Sequence, residues 1–383
     1  MGVIFVSDLL IMTPGPTEVS EEVRRAMSRK ITNPDLDPEF FDFYLEVSSK
    51  LQQVLRTKND VIIMSGEGIL GLESACASLI EPGDRVLVLD NGIFGRGFAD
   101  FADLYGADVT RWEFPYNEEI DIDKLKTKLT EENNFKFATF VHCETPTGII
   151  NNAEQIANLL NEYNILSVVD SVSAIGGVPI EVDRWGIDII LGGSQKCLSV
   201  PPGLTFMSVS DSAWETVNNR ETAVRGYYTN LQLWQNWYEE KYFPYTQAVS
   251  DIYALDAALD KWLADKKVFE RHSKIAAAVR KAIKESNLNL YAENGYSDTV
   301  TAIEIPDGIS YQELNQLMTE SYNVMIAASL GEFEDKLIRI GHMGENCYED
   351  KLYRTLKAFD HSLRELGFDL NVDLHKIFVD EMN

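Results

Sequence analysis

The segment LSVVDSVSAIGGVPIEVDRWGIDIILGGSQKCLSVPPG, residues 166–203, contains two short apolar runs that each lead to a reactive side chain. The runs Leu166–Val169 and Ile187–Leu191 are rich in β-branched residues, which is typical of strands buried on both faces. The first run ends at Asp170, and the second continues through a Gly-Gly-Ser turn to Lys196. Because open α/β sheets bind ligands at the carboxyl ends of their strands, we expect Asp170 and Lys196 to share one site.

The chemistry of this pair suits an aldehyde cofactor. A lysine can hold the aldehyde as a Schiff base, while an aspartate keeps a pyridine nitrogen protonated so that the ring accepts electrons. Val172, two residues after Asp170, places a branched side chain where it could pack against a flat ring. The same pattern also fits a solvated loop lysine and a carboxylate that caps a helix. The pattern alone leaves both interpretations open.

Apolar runs of strand length alternate with helical patterns on both sides of this segment. Further strands of the same sheet are predicted at residues 61–64, 85–90, 108–112, 136–142 and 204–209. This alternation predicts an α/β fold, with a mostly parallel sheet flanked by helices on both faces. We predict an extended N-terminal segment at 1–17, a large cofactor-binding domain at 18–259 and a smaller C-terminal α/β domain at 260–383.

Composition limits the partners of the chain. A net charge of −27 over 383 residues argues against nucleic acids and anionic membranes as partners. The cysteines Cys76, Cys143, Cys197 and Cys347 are scattered without a CxxC pair, so neither a disulfide framework nor a metal site is indicated. The N-terminus carries Asp8 and no basic region, unlike a signal peptide, and no apolar run reaches membrane length. We therefore expect a cytoplasmic protein.

A second motif offers a rival interpretation. Residues 66–71 read GEGILG, a GxGxxG pattern between a predicted strand and a helix, and Asp90 ends the next predicted strand. This arrangement matches the dinucleotide fingerprint and predicts an NAD-dependent oxidoreductase. Glu67 argues against it, because its carboxylate would face the pyrophosphate. The amides of Gly68 and Ile69 are instead placed to receive one phosphate or another anion, and close packing at a helix start explains the glycines equally well.

Several motifs together resemble one family over residues 12–366. They read TPGPTEV, SGEGILGLESA, DNGIFGRG, ETPTGI, VVDSVSAIGG, GIDIILGGSQKCLSVPPG and LIRIG. The chain resembles the class V aminotransferases of fold type I, in particular the alanine–glyoxylate and serine–glyoxylate group. Finer matches, GEGILGLE, PYNEEID, FPYTQAVSD and RIGHMG, are most similar to the pyridoxamine–pyruvate transaminases of this family, which bind unphosphorylated pyridoxal or pyridoxamine as a substrate.

The resemblance implies roles for individual residues. Lys196 would hold the ring as a Schiff base and move the proton between ring and substrate carbons, while Asp170 would pair with the ring nitrogen. The other implied contacts are Thr145 with the ring hydroxyl, Phe94 stacked on the ring, Val172 on its opposite face, and Arg339 and Gly15 with the substrate carboxylate. Taken singly, Phe94 also fits a helix core, Thr145 a plain turn and Arg339 an exposed strand.

The residues implied around the 5′ end of the ring are mixed. Relatives that use a phosphorylated cofactor have a small hydroxyl residue and a tyrosine where this chain has Glu67 and Phe243. The implied phosphate ligands that are kept are Gln195, Thr246 and the amides of Gly68 and Ile69. Leu330 replaces a second arginine of the pyridoxamine–pyruvate transaminases. We therefore expect unphosphorylated pyridoxal or pyridoxamine bound as a substrate, with pyridoxal 5′-phosphate as the alternative.

Together these inferences predict a transaminase that converts pyridoxamine and pyruvate to pyridoxal and L-alanine. One alternative is an alanine– or serine–glyoxylate aminotransferase with tightly held pyridoxal 5′-phosphate, and the alternative of another class is the NAD-dependent oxidoreductase. In the family, the segment at 243–246 reaches the neighbouring subunit's site, so the aromatic-rich stretch before it predicts a homodimer or larger homo-oligomer. The other expected partners are a small amino or 2-oxo acid and a B6 vitamer.

Overall fold

The computed structural model describes residues 9–383. The first part of the predicted 1–17 segment, including the stretch that was compared with a signal peptide, lies outside the described residues. Within residues 9–383, none of the helices is long and apolar enough to span a membrane.

The described chain contains fourteen strands and thirteen α-helices. The strands are β1 Leu10–Ile11, β2 Asp60–Ser65, β3 Arg85–Asp90, β4 Asp108–Glu113, β5 Phe137–Val141, β6 Cys143–Glu144, β7 Ile149–Ile150, β8 Leu166–Asp170, β9 Ile189–Gly193, β10 Leu204–Val209, β11 Val300–Glu304, β12 Val324–Met325, β13 Ala327–Ala328 and β14 Leu337–Gly341. The helices are α1 Glu21–Met27, α2 Pro38–Leu55, α3 Gly68–Leu79, α4 Ile93–Leu104, α5 Ile122–Glu131, α6 Ala153–Glu162, α7 Val182–Trp185, α8 Asp211–Asn218, α9 Val249–Ala264, α10 Val268–Glu285, α11 Tyr311–Tyr322, α12 Glu349–Glu365 and α13 Leu374–Met382.

Seven of these strands form a central sheet in the order β2-β10-β9-β8-β5-β3-β4. Each neighbouring pair is parallel except the two that involve β10, which runs antiparallel to β2 and to β9. Residues 194–203 connect β9 to β10, and this connection is shorter than the crossover that parallel neighbours need. The predicted mostly parallel sheet is confirmed, and its antiparallel strand lies inside the sheet rather than at an edge.

The two apolar runs of the central segment are neighbours in this sheet. β8 pairs with β9 so that Asp170 lies opposite Leu191, and with β5 so that Asp170 lies opposite Val141. All residues of β5 and β9 are buried, as expected for strands covered on both faces. The carboxyl ends of three strands therefore meet at one edge of the sheet.

The C-terminal part of the chain has its own core. β11, β14 and β13 form an antiparallel sheet, and α10, α11, α12 and α13 pack with it and with each other. Leu10 and Met12 belong to the same buried cluster, because β1 pairs in parallel with β12. We propose that the division between the two units follows α9, close to the predicted residue 260, since Leu259 belongs to the first cluster and Ile275 to the second.

Candidate active site

A cavity of about 190 Å³ lies at the edge of the sheet where β5, β8 and β9 end. The starts of α3 and α4 and the turns after these strands supply its walls. The lining residues are Glu67, Gly68, Ile69, Leu72, Phe94, Cys143, Thr145, Asp170, Val172, Ser173, Gln195 and Lys196. Most residues predicted to contact a B6 ring thus surround one space, including both groups from which the prediction started.

Lys196 extends from the turn after β9 toward the N-terminal segment. Its Nζ donates a hydrogen bond to the carbonyl oxygen of Pro14 at 2.6 Å. A Cβ added to Gly15 would lie 2.4 Å from Lys196 Cδ, so the lysine fills space that a larger residue would take. Burial and then the charge of Arg339 lower the pKa of Lys196 to about 8, against the opposing effect of Asp170. A lysine with this pKa is partly neutral near physiological pH and is therefore a competent nucleophile.

Asp170 is the last residue of β8 and is 5% exposed. Its Oδ1 accepts the N–H of Val172 at 2.9 Å. Burial raises the pKa of Asp170 to about 6, while the N–H of Val172 and the charge of Lys196 lower it and Glu67 raises it. A buried carboxyl of this kind is ionised more readily when a cationic group binds beside it, such as a protonated ring nitrogen.

Two hydroxyl groups lie side by side in the cavity wall. Thr145 Oγ1 and Ser173 Oγ are hydrogen-bonded to each other, and both residues are buried. Ser173 and Cys143 line the cavity although neither was predicted as a site residue. Ser173 lies three residues after Asp170 and Cys143 two residues before Thr145, so their position just beyond strand carboxyl ends was the available signal.

Phe94 is the second residue of α4 and lines the cavity. Gly92, which precedes the helix, has no side chain to cap it. The buried carboxyl of Glu144 in β6 accepts the N–H groups of Phe94 at 3.2 Å and of Gly95 at 2.5 Å instead. Burial raises the pKa of Glu144 to about 8, against the lowering effect of these two N–H groups. This cap was not predicted, because Glu144 and the N–H groups that it accepts lie 49 and 50 residues apart in the chain.

Arg339, in β14, adjoins the cavity without lining it. Its Nε and Nη2 donate to the carbonyl oxygen of Ala328 at 2.9 and 2.6 Å, and its Nη1 donates to that of Thr145 at 3.5 Å. Arg339 is 7% exposed, and burial lowers its pKa to about 10. Among the described residues, no carboxylate contributes to that pKa. A buried guanidinium without a counter-ion is a natural site for an anionic ligand.

The N-terminus of α3 is already occupied by a carboxylate. Glu67 precedes the helix, and its Oε1 accepts the N–H of Ile69 at 3.3 Å. Gly68 lies against Val172, because an added Cβ would be 2.8 Å from Val172 Cγ2. Gln195 also lines the cavity, and its buried side-chain oxygen has no hydrogen-bond donor among residues 9–383. Of the residues predicted around the 5′ end of the ring, Glu67, Gly68, Ile69 and Gln195 therefore line the cavity, and the N–H of Ile69 is already bonded to a carboxylate.

Phe243 and Thr246 do not line this cavity. Phe243 is 4% exposed and packs within its own chain, with its ring stacked on Phe41 at a centroid distance of 4.5 Å. Thr246 is exposed, and its Oγ1 donates to Asp35 Oδ2 at 3.0 Å. Within its own chain Phe243 is enclosed by aromatic side chains, and its contact with a B6 ring, expected at the neighbouring subunit's site, stays a prediction.

The dinucleotide interpretation of the glycine motif is wrong. Its fingerprint requires that the glycine turn and the acidic residue end adjacent parallel strands. Here Gly66 follows the edge strand β2, whereas Asp90 ends β3, five strand positions away in the sheet and on the order of 24 Å distant. β2 also pairs antiparallel with its neighbour. Within residues 9–383, no group of three or more His, Cys, Asp or Glu residues is arranged to hold a metal ion.

Comparison with known proteins agrees with this geometry. The sequence model of the class V aminotransferases matches residues 13–333. The pyridoxamine–pyruvate transaminase of Mesorhizobium japonicum is 35% identical over 369 residues, which cover 95% of this chain and 94% of that protein. The alanine–glyoxylate aminotransferase of Rattus norvegicus is 29% identical over 364 residues, covering 93% of this chain and 87% of that protein. The crystal structure of pyridoxamine–pyruvate aminotransferase from Mesorhizobium loti matches with a TM-score of 0.94 at 33% identity, covering 100% of this chain and 99% of that chain. This chain belongs to the class V aminotransferases and has the fold of the fold-type I enzymes.

Proposed function

We propose that this aminotransferase exchanges an amino group between an unphosphorylated B6 ring and a small 2-oxo acid, converting pyridoxamine and pyruvate to pyridoxal and L-alanine. The observation that carries the proposal is the carboxylate of Glu67 at the N-terminus of α3. The similarity to the pyridoxamine–pyruvate transaminase of Mesorhizobium japonicum supports it.

The position of Glu67 disfavours a phosphate at this end of the cavity. A helix N-terminus binds phosphate through free backbone N–H groups and its positive dipole end. In this chain the N–H of Ile69 already donates to Glu67, so a phosphate would compete with that bond and face a like charge. A neutral hydroxymethyl group carries a donor hydrogen that Glu67 or the unpartnered oxygen of Gln195 can accept.

The residues of the cavity match the functional groups of a B6 ring, which supplies an electron sink when it is bound. Lys196 would hold the ring at its aldehyde carbon and, with its lowered pKa, carry a proton at Nζ to and from the carbon that gains or loses the amine. Asp170 would keep the ring nitrogen protonated, and Thr145 would donate to or accept from the ring hydroxyl. Phe94 and Val172 would cover the ring and exclude water from it.

Arg339 supports an acid substrate. Its guanidinium is buried, and no carboxylate of the described residues offsets its charge. The carboxylate of a 2-oxo acid or amino acid would supply the missing counter-ion. Because Arg339 also lowers the pKa of Lys196, a bound carboxylate would partly offset that effect and raise the basicity of Nζ when the acid arrives. We also propose that Gly15 contacts the substrate carboxylate, because Gly15 lies against the side chain of Lys196.

A second candidate is an alanine– or serine–glyoxylate aminotransferase that holds pyridoxal 5′-phosphate. Gly68 and Ile69 at the start of α3, together with Gln195, line the cavity where such a phosphate would bind. A crystal structure of alanine–glyoxylate aminotransferase from Nostoc sp. matches with a TM-score of 0.89 at 31% identity, covering 95% of this chain and 97% of that chain. This candidate requires Glu67 to turn away from the helix.

The predicted homodimer and cytoplasmic location remain proposals. Thr246 is exposed and lies outside the cavity of its own chain, which leaves it accessible to a neighbouring subunit. Exposed tyrosines in the same aromatic-rich stretch, Tyr227, Tyr228 and Tyr242, are of the residue type enriched in interface cores.

Amino transfer from pyridoxamine to pyruvate, glyoxylate and oxaloacetate, with and without added pyridoxal 5′-phosphate, tests the proposal. We expect transfer to pyruvate without the phosphate ester. Lys196→Ala should retain the fold by circular dichroism and lower kcat by about 10²-fold to 10⁴-fold or more, the contribution of a positioned acid–base group. A phosphate-containing chromophore that survives dialysis, with transfer confined to glyoxylate from alanine or serine, would establish the second candidate instead.

A further inference from the structure

Glu144 is a buried carboxyl for which the proposed reaction has no direct use. It is 0% exposed and lies between Cys143 and Thr145, both of which line the cavity. Its own carboxyl group points elsewhere, to the first turn of α4, where Oε2 accepts from Phe94 and Oε1 from Gly95. Glu144, in β6, thus accepts a hydrogen bond from the backbone N–H of Phe94, the aromatic residue on another wall of the cavity.

This arrangement differs from ordinary helix capping. A helix start leaves backbone N–H groups unsatisfied, and a Ser, Asp or Asn immediately before the helix usually accepts one of them. The chain has Gly92 at that position, and a Cβ there would lie 2.3 Å from Glu144 Cδ. Gly92 and Glu144 therefore fit together: the glycine leaves the space, and the distant carboxyl fills it.

We propose that Glu144 is a positioning residue that fixes Phe94 in the cavity wall, so that the stacking surface for the B6 ring is set by a bond from β6 to the start of α4. The inference rests on the proposed function, because Phe94 is the residue expected to stack on the ring. Glu144 does not itself line the cavity and acts through Phe94. Its loss should therefore change how tightly a ring binds more than how quickly bound ring reacts.

Hydrogen–deuterium exchange on the ligand-free, full-length protein tests the bond itself. Glu144→Gln keeps the shape of the side chain but turns an NH₂ group toward one of the two N–H donors. At pH 9, above the pKa of about 8, the wild-type carboxyl is ionised. We expect peptides covering residues 91–98 to exchange on the order of tenfold faster in the variant, the loss typical of a charge-assisted hydrogen bond. Unchanged exchange there would overturn the proposal.

A double-mutant cycle with Phe94→Leu tests the consequence for binding. Pyridoxal affinity is followed by the absorbance change on binding, at the same pH. Glu144→Gln should weaken binding by about tenfold when Phe94 is present and by about twofold or less in the Phe94→Leu background, because coupled residues give non-additive effects. Equal losses in the two backgrounds would show that Glu144 does not act through Phe94 and would refute the assignment.

Asp360 provides a matched control. It is 1% exposed, and its Oδ2 accepts the N–H of Leu374, the first residue of α13, at 2.9 Å, so it also caps a helix from a distant position. Asp360→Asn should leave the pyridoxal Kd within about twofold of wild type. A tenfold weakening in this variant as well would mean that general loss of stability, not positioning of Phe94, explains the effect of Glu144→Gln.

Gly92→Ala gives a second route if Glu144→Gln does not fold. Position 92 has an extended φ of 173°, which alanine adopts, but the added Cβ would displace the Glu144 carboxyl while leaving its charge. The same faster exchange and the same dependence on Phe94 are expected. If wild type binds no pyridoxal, the proposed substrate is wrong, and the cycle is then measured with pyridoxal 5′-phosphate, where an additive result still overturns the role of Glu144.

Discussion

Helices α3 and α4 both begin at the cavity, and each has a carboxylate at its N-terminus. Glu67 precedes α3 directly, is exposed, and accepts the N–H of a residue two positions later. Glu144 is buried and accepts N–H groups 49 and 50 residues earlier in the chain. A carboxylate therefore accepts N–H groups at the start of both helices, in an exposed position at α3 and in a buried position at α4.

The difference in burial decides what each carboxylate can do. An exposed carboxylate at a helix start keeps most of its hydration and can be displaced or can bond a ligand at small cost. A buried one has lost that hydration, which raises its pKa, and its two N–H donors are the main compensation for its charge once it ionises. Glu67 is thus suited to selecting the ligand, whereas Glu144 is suited to holding the wall that the ligand meets.

The largest expected effect concerns the titration of Glu144. Its folded-state pKa of about 8 lies above the ordinary value of 4.5, so the folded protein binds more protons than the unfolded chain between these values. Stability from this group is fully present below pH 4.5 and is lost as pH rises through 8, with a slope of up to about 1.4 kcal/mol per pH unit. The free energy of unfolding in urea should therefore fall more steeply over this window in wild type than in Glu144→Gln.

Asp170 has a raised pKa of about 6, so it also makes the free energy of unfolding fall as pH rises, but only up to about pH 6. It is present in both proteins. The difference between wild type and Glu144→Gln isolates the contribution of position 144. Parallel stability curves from pH 5 to pH 8.5 would mean that the carboxyl of Glu144 is ionised throughout, and the contrast with exposed Glu67 would lose its electrostatic basis.

A smaller effect is expected from freeing the start of α3. Glu67→Ser removes the carboxylate that holds the N–H of Ile69, so pyridoxal 5′-phosphate should bind on the order of tenfold to a hundredfold more tightly, the equivalent of one charge-assisted hydrogen bond. Pyridoxal should bind less tightly, since it loses an acceptor for its hydroxyl. Both Kd values are measured by absorbance titration.

Asp121→Ser is the matched control for this change. Asp121 caps α5 by accepting the N–H groups of Asp123 and Lys124, and it does not line the cavity, so its replacement changes the net charge equally. The phosphate ester should bind this variant as it binds wild type. Equal gains in the two variants would attribute the effect to overall charge and remove Glu67 from ligand selection.

The same contrast explains how much of the site could be predicted from the sequence. The strand, glycine turn and helix around Glu67 are contiguous, so a local pattern places the carboxylate at the helix start. Asp170 and Lys196 line the same cavity, and the sequence indicates this proximity because strands buried on both faces are recognisable and their carboxyl ends share an edge. The parallel α/β architecture follows from the same alternation of strands and helices.

The remaining features depend on the order of strands, which a local pattern does not contain. Glu144 reaches the start of α4 because β5 lies beside β3 in the sheet, although α4 and β6 are far apart in the chain. Phe243 stacks on Phe41, roughly 200 residues earlier in the chain, and a local pattern does not contain this contact. The inner antiparallel position of β10 likewise results from pairing with β2, which lies more than one hundred residues earlier.

The smallest expected effect concerns an exposed ion pair that links α4 to the C-terminal unit. Arg96, in the first turn of that helix, forms a two-point ion pair with Glu332 of the C-terminal unit, at 2.9 and 3.2 Å, with side chains 40% and 41% exposed. Exposed pairs contribute about 0–1 kcal/mol and weaken in salt. Arg96→Ala, Glu332→Gln and the double variant should therefore give a coupling of about 0.5 kcal/mol in urea unfolding, smaller at 1 M NaCl, and should change the pyridoxal Kd by about twofold or less. If Glu332→Gln instead weakened pyridoxal binding as much as Glu144→Gln does, and lost this effect in the Phe94→Leu background, burial of the carboxylate would not be needed to set the stacking surface.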